Sequence, residues 1–441
     1  MNIKALILCL LLVNLSFAQK LSHLDGTVNI SLEDETIDAT YTLSNLPVDT
    51  QTLSFRLNEY IKVKSIELNG DRIASSKVPQ NCNDCLIYTV LVGCEVVITP
   101  ESTLTIETEG KFKNFDKPKS ARRYKGQLVY SNGVLRATNA DKWYPEIVNK
   151  SSNVSDYMNP FNYTYAITAN CTDCESIYLG KGKPQPSGTT FINDQVEGDM
   201  ILLAGNLKYT PGKYANYINV PQDKIPALEA TFEKTRGFLQ DITRVTSDSK
   251  VVYAQVSSPV YGNEASYNTI INTSQNVDVA KIDDAIGEGE AYYYLSGAFK
   301  PETQLDRMLL QSLAKYVKLR YLKKYSTNQY NTLNSFIESK TANTENRLAS
   351  NHNELNALLI SPEQFNILEN EIGEAEMNTF ISNIFQNLRV GKLSIQAFSD
   401  SFKQIEIPEK SERFALLENN LRTQFELRAE TPEVKEILTR W

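Results

Sequence analysis

Between Leu21 and Leu207, apolar and polar positions alternate in short runs separated by turn-forming clusters. Thr27 to Leu32, Thr52 to Arg56, Leu86 to Val92, Leu104 to Thr108 and Tyr163 to Thr168 each follow this period-two rhythm. A strand with that rhythm points one face inward and the other to water. Ser131-Asn132-Gly133 and Pro186-Ser187-Gly188 supply turns between such runs. The pattern predicts an all-β segment over residues 19–207. Beyond Pro211-Gly212-Lys213 the texture changes. Ile225 to Val245 predicts an amphipathic helix, with Ile225, Leu228, Phe232, Phe238 and Leu239 near helical spacing. Val251 to Val256 and Thr269 to Ile271 read as strands. From Val277 onward the chain reads as helical, broken at Lys300-Pro301, Ser361-Pro362 and Ile407-Pro408. The helix from Leu305 to Leu322 is apolar on almost every face, so it belongs at the centre of the second part, residues 208–441. The expected class is α+β, without internal repeats or low-complexity tracts.

The N-terminus changes the picture of location. Lys4, the apolar run Ala5 to Val13, and Asn14-Leu15-Ser16-Phe17-Ala18 have the order of a signal peptide, residues 1–18, with cleavage expected after Ala18. The run is shorter than the ~20 residues needed to span a bilayer. Cys9 lies inside it, too early for a lipid anchor. The expectation is an exported protein, periplasmic or extracellular, with no transmembrane segment after signal removal. About 420 residues then remain, enough for two or three domains. A net charge of −8 and a pI near 5.2 give no basic stripe, which argues against nucleic acid as a partner.

Of six cysteines, Cys82, Cys85, Cys94, Cys171 and Cys174 lie beyond the signal peptide. Cys82 and Cys85, like Cys171 and Cys174, form a C-x-x-C pair between strand-like runs. Outside the cytoplasm such pairs read as disulfides. A four-thiolate structural zinc is the alternative. A redox motif fits less well, because neither pair opens a helix that would lower a thiol pKa. Cys94 reads as a buried strand residue.

Several longer segments share an order with a known family. Leu53 to Asn69, Asp141-Lys-Trp-Tyr-Pro145 and Phe161 to Ala169 fall in the β half. Tyr261-Gly-Asn-Glu-Ala-Ser266, Gly289-Glu-Ala-Tyr-Tyr-Tyr-Leu-Ser-Gly297, Leu310-Gln-Ser-Leu-Ala-Lys-Tyr316 and Phe365 to Phe380 follow in the second half. In that order and spacing the chain resembles the aminopeptidase N family of zinc metallopeptidases, the gluzincins. The resemblance implies an N-terminal β-saddle domain followed by a thermolysin-like peptidase domain ending in helices.

That chemistry needs two histidines four residues apart on a helix, a glutamate between them and a third ligand on a later helix. Here the histidine positions hold Gly289 and Tyr293, and the third-ligand position holds Gln311. The position implied for the family's transition-state tyrosine falls near Leu358. His23 and His352, the only histidines, lie outside the motif region. No metal and no cofactor is therefore expected, and the chain reads as a catalytically inactive member of the family.

Two carboxylates remain at family positions. Glu290 matches the general base, and Glu264 matches the glutamate that holds a substrate's α-amino group. Glu264 suits either an ammonium partner in a metal-free peptide cleft or a plain exposed loop. Glu290, among Asp283, Asp284 and Glu288, reads as part of a solvated helix face rather than a calcium site, and stands with Glu264 and Tyr293 as a peptide-binding candidate. Tyr292, Tyr293 and Tyr294 suit a ligand-stacking platform or a core cluster. The expected role is binding of peptides or of another exported protein. Alternatives are an active aminopeptidase with a non-standard site, and a surface adhesin or structural component. No GxSxG, Cys/His pairing or phosphate loop supports a different hydrolase.

Overall fold

The computed structural model describes residues 22–46, 53–78, 85–91, 97–116, 128–138, 141–148, 164–194, 200–257 except 248, 264–266, 268–273, 286–291 except 288, 304–335 and 362–389. The expectations for the signal peptide and for Cys82, Cys94, Asp283, Asp284, Glu288, Tyr292, Tyr293, Tyr294, Leu358 and His352 fall outside these residues.

The N-terminal half builds three sheets. The first has seven strands: β1 (His23–Ser31), β2 (Thr36–Ser44), β4 (Ile61–Leu68), β5 (Asp71–Arg72), β8 (Leu104–Lys111), β13 (Thr164–Cys171) and β15 (Thr189–Asn193), in the order β15-β13-β1-β2-β8-β4-β5. Its strands alternate as the sequence predicts; along β13 every second residue is buried. β1 starts earlier than the predicted Thr27 because Leu24 continues the inward series Val28, Ile30. Gly26 lies between them, and its missing side chain leaves room for the Tyr41 ring, which a Cβ would approach to 3.0 Å.

The second sheet pairs β12 (Glu146–Val148), β3 (Ser54–Asn58), β7 (Cys85–Leu91) and β6 (Ala74–Val78), in that order. The third runs β14 (Ser176–Leu179), β16 (Leu202–Gly205), β11 (Val134–Ala137), β10 (Val129–Ser131) and β9 (Lys113–Asn114). All three contribute to one core centred on Trp143, whose indole N–H donates to the Met200 carbonyl at 3.0 Å.

A fourth, mixed sheet follows: β17 (Tyr209–Pro211), β18 (Ala215–Ile218), β19 (Val251–Gln255), β21 (Thr269–Asn272) and β20 (Glu264–Ser266), in that order. β18, β19 and β21 are parallel, and the edge strands β17 and β20 are antiparallel. Parallel neighbours need a crossover, and α1 (Ile225–Thr243) supplies the one from β18 to β19. Leu228 and Phe232 of α1 pack on the sheet with Tyr217 and Tyr253. The three rings lie 6.2–6.4 Å apart between centroids.

The other face of the fourth sheet is covered by the third. Ile218, Val252, Ala254 and Ile271 meet Val134, Tyr178, Ile201 and Leu203. The third sheet's opposite residues, among them Leu135, Leu179 and Ala204, face the first core. Both its faces are therefore dry, which explains why Met200-Ile-Leu-Leu-Ala204 is apolar throughout rather than alternating.

The helical part contains α2 (Gln304–Tyr325), α3 (Pro362–Ile372) and α4 (Glu374–Arg389). Pro362 opens α3, a position where its missing N–H costs nothing. Gly373, at φ +88°, breaks the chain between α3 and α4. α2 is central as predicted: Leu313, Ala314, Tyr316, Val317, Tyr321 and Leu322 are buried in a core shared with Phe238, Leu239 and Ile242 of α1 and with α3 and α4. Among the described residues, no helix is long and apolar enough to cross a membrane.

Candidate functional site

Glu290 and its neighbours lie where α1, α2 and the fourth sheet meet. Residues 286–287 and 289–291 are helical. Ile286 packs into the sheet-facing core, and Ala291 into the helical core. Gly287 sits against α2, where a Cβ would lie 3.1 Å from Cδ1 of Tyr321. This segment is thus wedged between two helices and a sheet.

Glu290 does not lie on a solvated face. It is 0% exposed, and both its oxygens are held by Arg236 of α1. Arg236 Nε donates to Oε2 at 2.9 Å and Nη2 to Oε1 at 3.0 Å, a parallel two-bond fork. The expectation fails because neighbouring acids suggest a polar helix, whereas Ile286 and Ala291 pack into apolar cores and Glu290 meets the Arg236 guanidinium between them. Burial pushes the Glu290 carboxyl above the usual carboxylate range, against the pull of Arg236. The Arg236 side chain, 9% exposed, also lies under the Tyr214 ring, 5.8 Å from its centroid.

An acidic residue of α1, Glu229, anchors that ring's neighbourhood. Glu229 accepts the Tyr214 backbone N–H at 3.0 Å and the Tyr217 hydroxyl at 2.8 Å. Burial raises the Tyr217 pKa, and its bond to Glu229 raises it further. The turn before β18 needs Gly212, because a Cβ there would come within 2.1 Å of a Glu229 oxygen and 2.5 Å of the Ala215 carbonyl. The sequence pattern does not predict the β17–β18 hairpin; it shows only a texture change at this glycine.

The remaining candidates are dispersed. Gly289 is buried in the same helical segment as Glu290. Gln311 lies in α2. Glu264 opens the edge strand β20, paired with Ile271. Tyr293 and Leu358 are outside the described residues, so the structure brings together only Gly289 and Glu290 of the expected set. Arg236 is not among the residues the sequence singles out. Its only signal is a charge at a position that helical spacing carries toward the buried side of α1. Among the described residues, no three His, Cys, Asp or Glu side chains gather as a metal site.

The second C-x-x-C pair is a disulfide between Cys171 and Cys174 at the end of β13. Asp173 between them accepts the backbone N–H of Leu32 and of Glu33 in the β1–β2 turn. Cys85, buried at the start of β7, is also disulfide-bonded, with its partner outside the described residues.

By sequence, the chain matches no protein-family model and no curated protein. Its fold matches solved zinc peptidases. Yeast LTA4 hydrolase superimposes with a TM-score of 0.58 at 14% identity, over 92% of this chain and 68% of that one. An aminopeptidase A from Legionella pneumophila, solved with aspartic acid, gives 0.58 at 12% identity, over 91% of this chain and 50% of that one. This chain thus spans half the length of the Legionella protein. An M1 zinc metallopeptidase from Deinococcus radiodurans gives 0.51 at 13% identity, over 94% of both chains. At these identities the likeness is one of architecture, and the fold of this chain is that of the M1 zinc metallopeptidases.

Proposed function

We propose that this chain is an exported, catalytically inactive protein on an aminopeptidase scaffold, and that it binds peptides or a protein partner. The observation that carries the reading is the state of Glu290. A general base must take a proton from water, yet this carboxylate is fully buried with both oxygens engaged by Arg236. The donor set also argues against zinc. Gly289 offers no side-chain ligand, and a guanidinium beside Glu290 repels a cation. Losing one member of a catalytic set already costs orders of magnitude in rate. The division into a β-saddle domain at residues 19–207 and a degenerate peptidase domain at 208–441 belongs to the same reading.

Metal analysis of the purified protein, run beside an amino-acid arylamide assay, tests inactivity. The expected result is no stoichiometric zinc and no turnover; zinc together with turnover overturns the proposal. For the ligand, free and N-acetylated forms of one peptide library are compared on wild type and Glu264→Gln. Preference for free N-termini that disappears in the variant supports a peptide cleft at β20, and indifference to acetylation removes Glu264 from it. Export is checked by the mass of the protein recovered outside the cytoplasm, expected to begin at Gln19.

A further inference from the structure

We infer that Arg236 and Glu290 form an internal charge lock that holds the helical residues 286–287 and 289–291 between α1 and α2, so that this part of the scaffold needs no metal to stay in place. This deepens the metal-free reading above and rests on it.

The segment is poorly equipped to hold itself. Gly287 and Gly289 both weaken helical structure. Neither glycine offers a side chain to pack. Ile286 reaches the sheet-facing core and Ala291 the helical one. The Glu290 carboxylate adds two parallel bonds from Arg236. Both side chains are withdrawn from water, at 9% and 0% exposure, so the pair is weakly screened. Removing one partner strands a buried charge on the other, while removing both leaves an apolar site. That asymmetry makes the lock measurable.

The experiment is a double-mutant cycle in the full chain with Arg236→Met, Glu290→Leu and the pair combined, read by thermal melting and by amide hydrogen exchange at residues 286–291. Each single change is expected to lower the melting temperature by roughly 6–20 °C and to speed exchange in the segment, with the double variant recovering most of both. Singles that fail to fold beside a double that folds support the lock equally. A double variant that loses the sum of the two singles, or that fails to fold, overturns the lock, as does a single change without effect. A chelator arm on wild type separates the two proposals. A fall in melting temperature on metal removal overturns the metal-free reading, whereas the cycle judges the lock by itself.

Discussion

Tyr178 of β14 and Thr269 of β21 share a buried hydroxyl–hydroxyl hydrogen bond of 2.7 Å across the seam between the third and fourth sheets. Tyr178 also donates to the Gly180 carbonyl at 2.8 Å, which leaves Thr269 to donate to the tyrosine oxygen. Tyr178→Phe is expected to cost about 1–2 kcal/mol, because the ring still fills its place while the Gly180 carbonyl and the Thr269 hydroxyl each lose their shortest partner. Equilibrium denaturation with Thr269→Val and the double change checks it. Strictly additive losses would show that the two hydroxyls do not act together.

Arg320 of α2 gathers the other two helices. Its guanidinium meets Glu369 of α3 at 3.3 Å, Glu374 of α4 at 3.2 Å and Asn378 of α4 at 2.7 Å. Tyr316, one turn earlier, donates to the other Glu369 oxygen at 2.8 Å. Arg320→Met should cost about 3 kcal/mol by leaving Glu369 half-paired. Arg320→Lys should rescue little, since an ammonium cannot reproduce the fork. Full stability of the lysine variant in urea unfolding counts against this account.

Removing the Cys171–Cys174 disulfide tests a different seam. A loop this short, with a sequence separation of 3, constrains the unfolded chain only modestly, so the paired Cys→Ser variant should lose about 2 kcal/mol. The loss should be local as well. Asp173 is aimed by the disulfide loop, so the Leu32 and Glu33 amides should exchange faster than those of β2. Uniform acceleration across the first sheet is the contrary result.

Acid should reach the same turn by another route. Burial tends to raise the Asp173 pKa, but the N–H groups of Leu32 and Glu33 and the Ser31 hydroxyl overcome it and hold the carboxyl below its usual range. A folded pKa below the unfolded one means the turn's stabilisation is present above about pH 4 and lost as pH falls through the folded value. Exchange at Leu32 and Glu33 followed from pH 6 to pH 2, corrected for intrinsic rates, should show that loss. Asp173→Asn should abolish the pH dependence, and an acid step that survives in it assigns the effect elsewhere.

Gly287→Val probes the wedge between α1 and α2. With Tyr321 3.1 Å from the would-be Cβ, a branched side chain has no room, and a cost of about 1–3 kcal/mol is expected. Tyr321→Ala in the same background should relieve part of it. If the valine is tolerated, the close approach is not tight.

Strands with one wet face are legible because alternation survives in sequence, as in β1, β2, β8 and β13. Helix α1 is legible from the spacing of Leu228, Phe232, Phe238 and Leu239. The β17–β18 hairpin is not, since its strands are three and four residues long and carry no full period. Of the candidate site, the sequence offers only expected positions. Gly289 and Gln311 stand where the resemblance expects ligands, but nothing local to Glu290 reveals a partner 54 positions earlier. One charge among several on an amphipathic helix and a glutamate among acids each look ordinary. Only the fold sets them face to face.

The third sheet, dry on both faces, carries one more consequence. Cut after Leu207, the N-terminal half would present Val134, Tyr178, Ile201 and Leu203 as an open greasy plane, and the remainder would present Val252, Ala254 and Ile271. Neither piece is a natural stopping point for a truncation. The halves are expected to melt together, and a fragment made from either one to be sticky rather than autonomous.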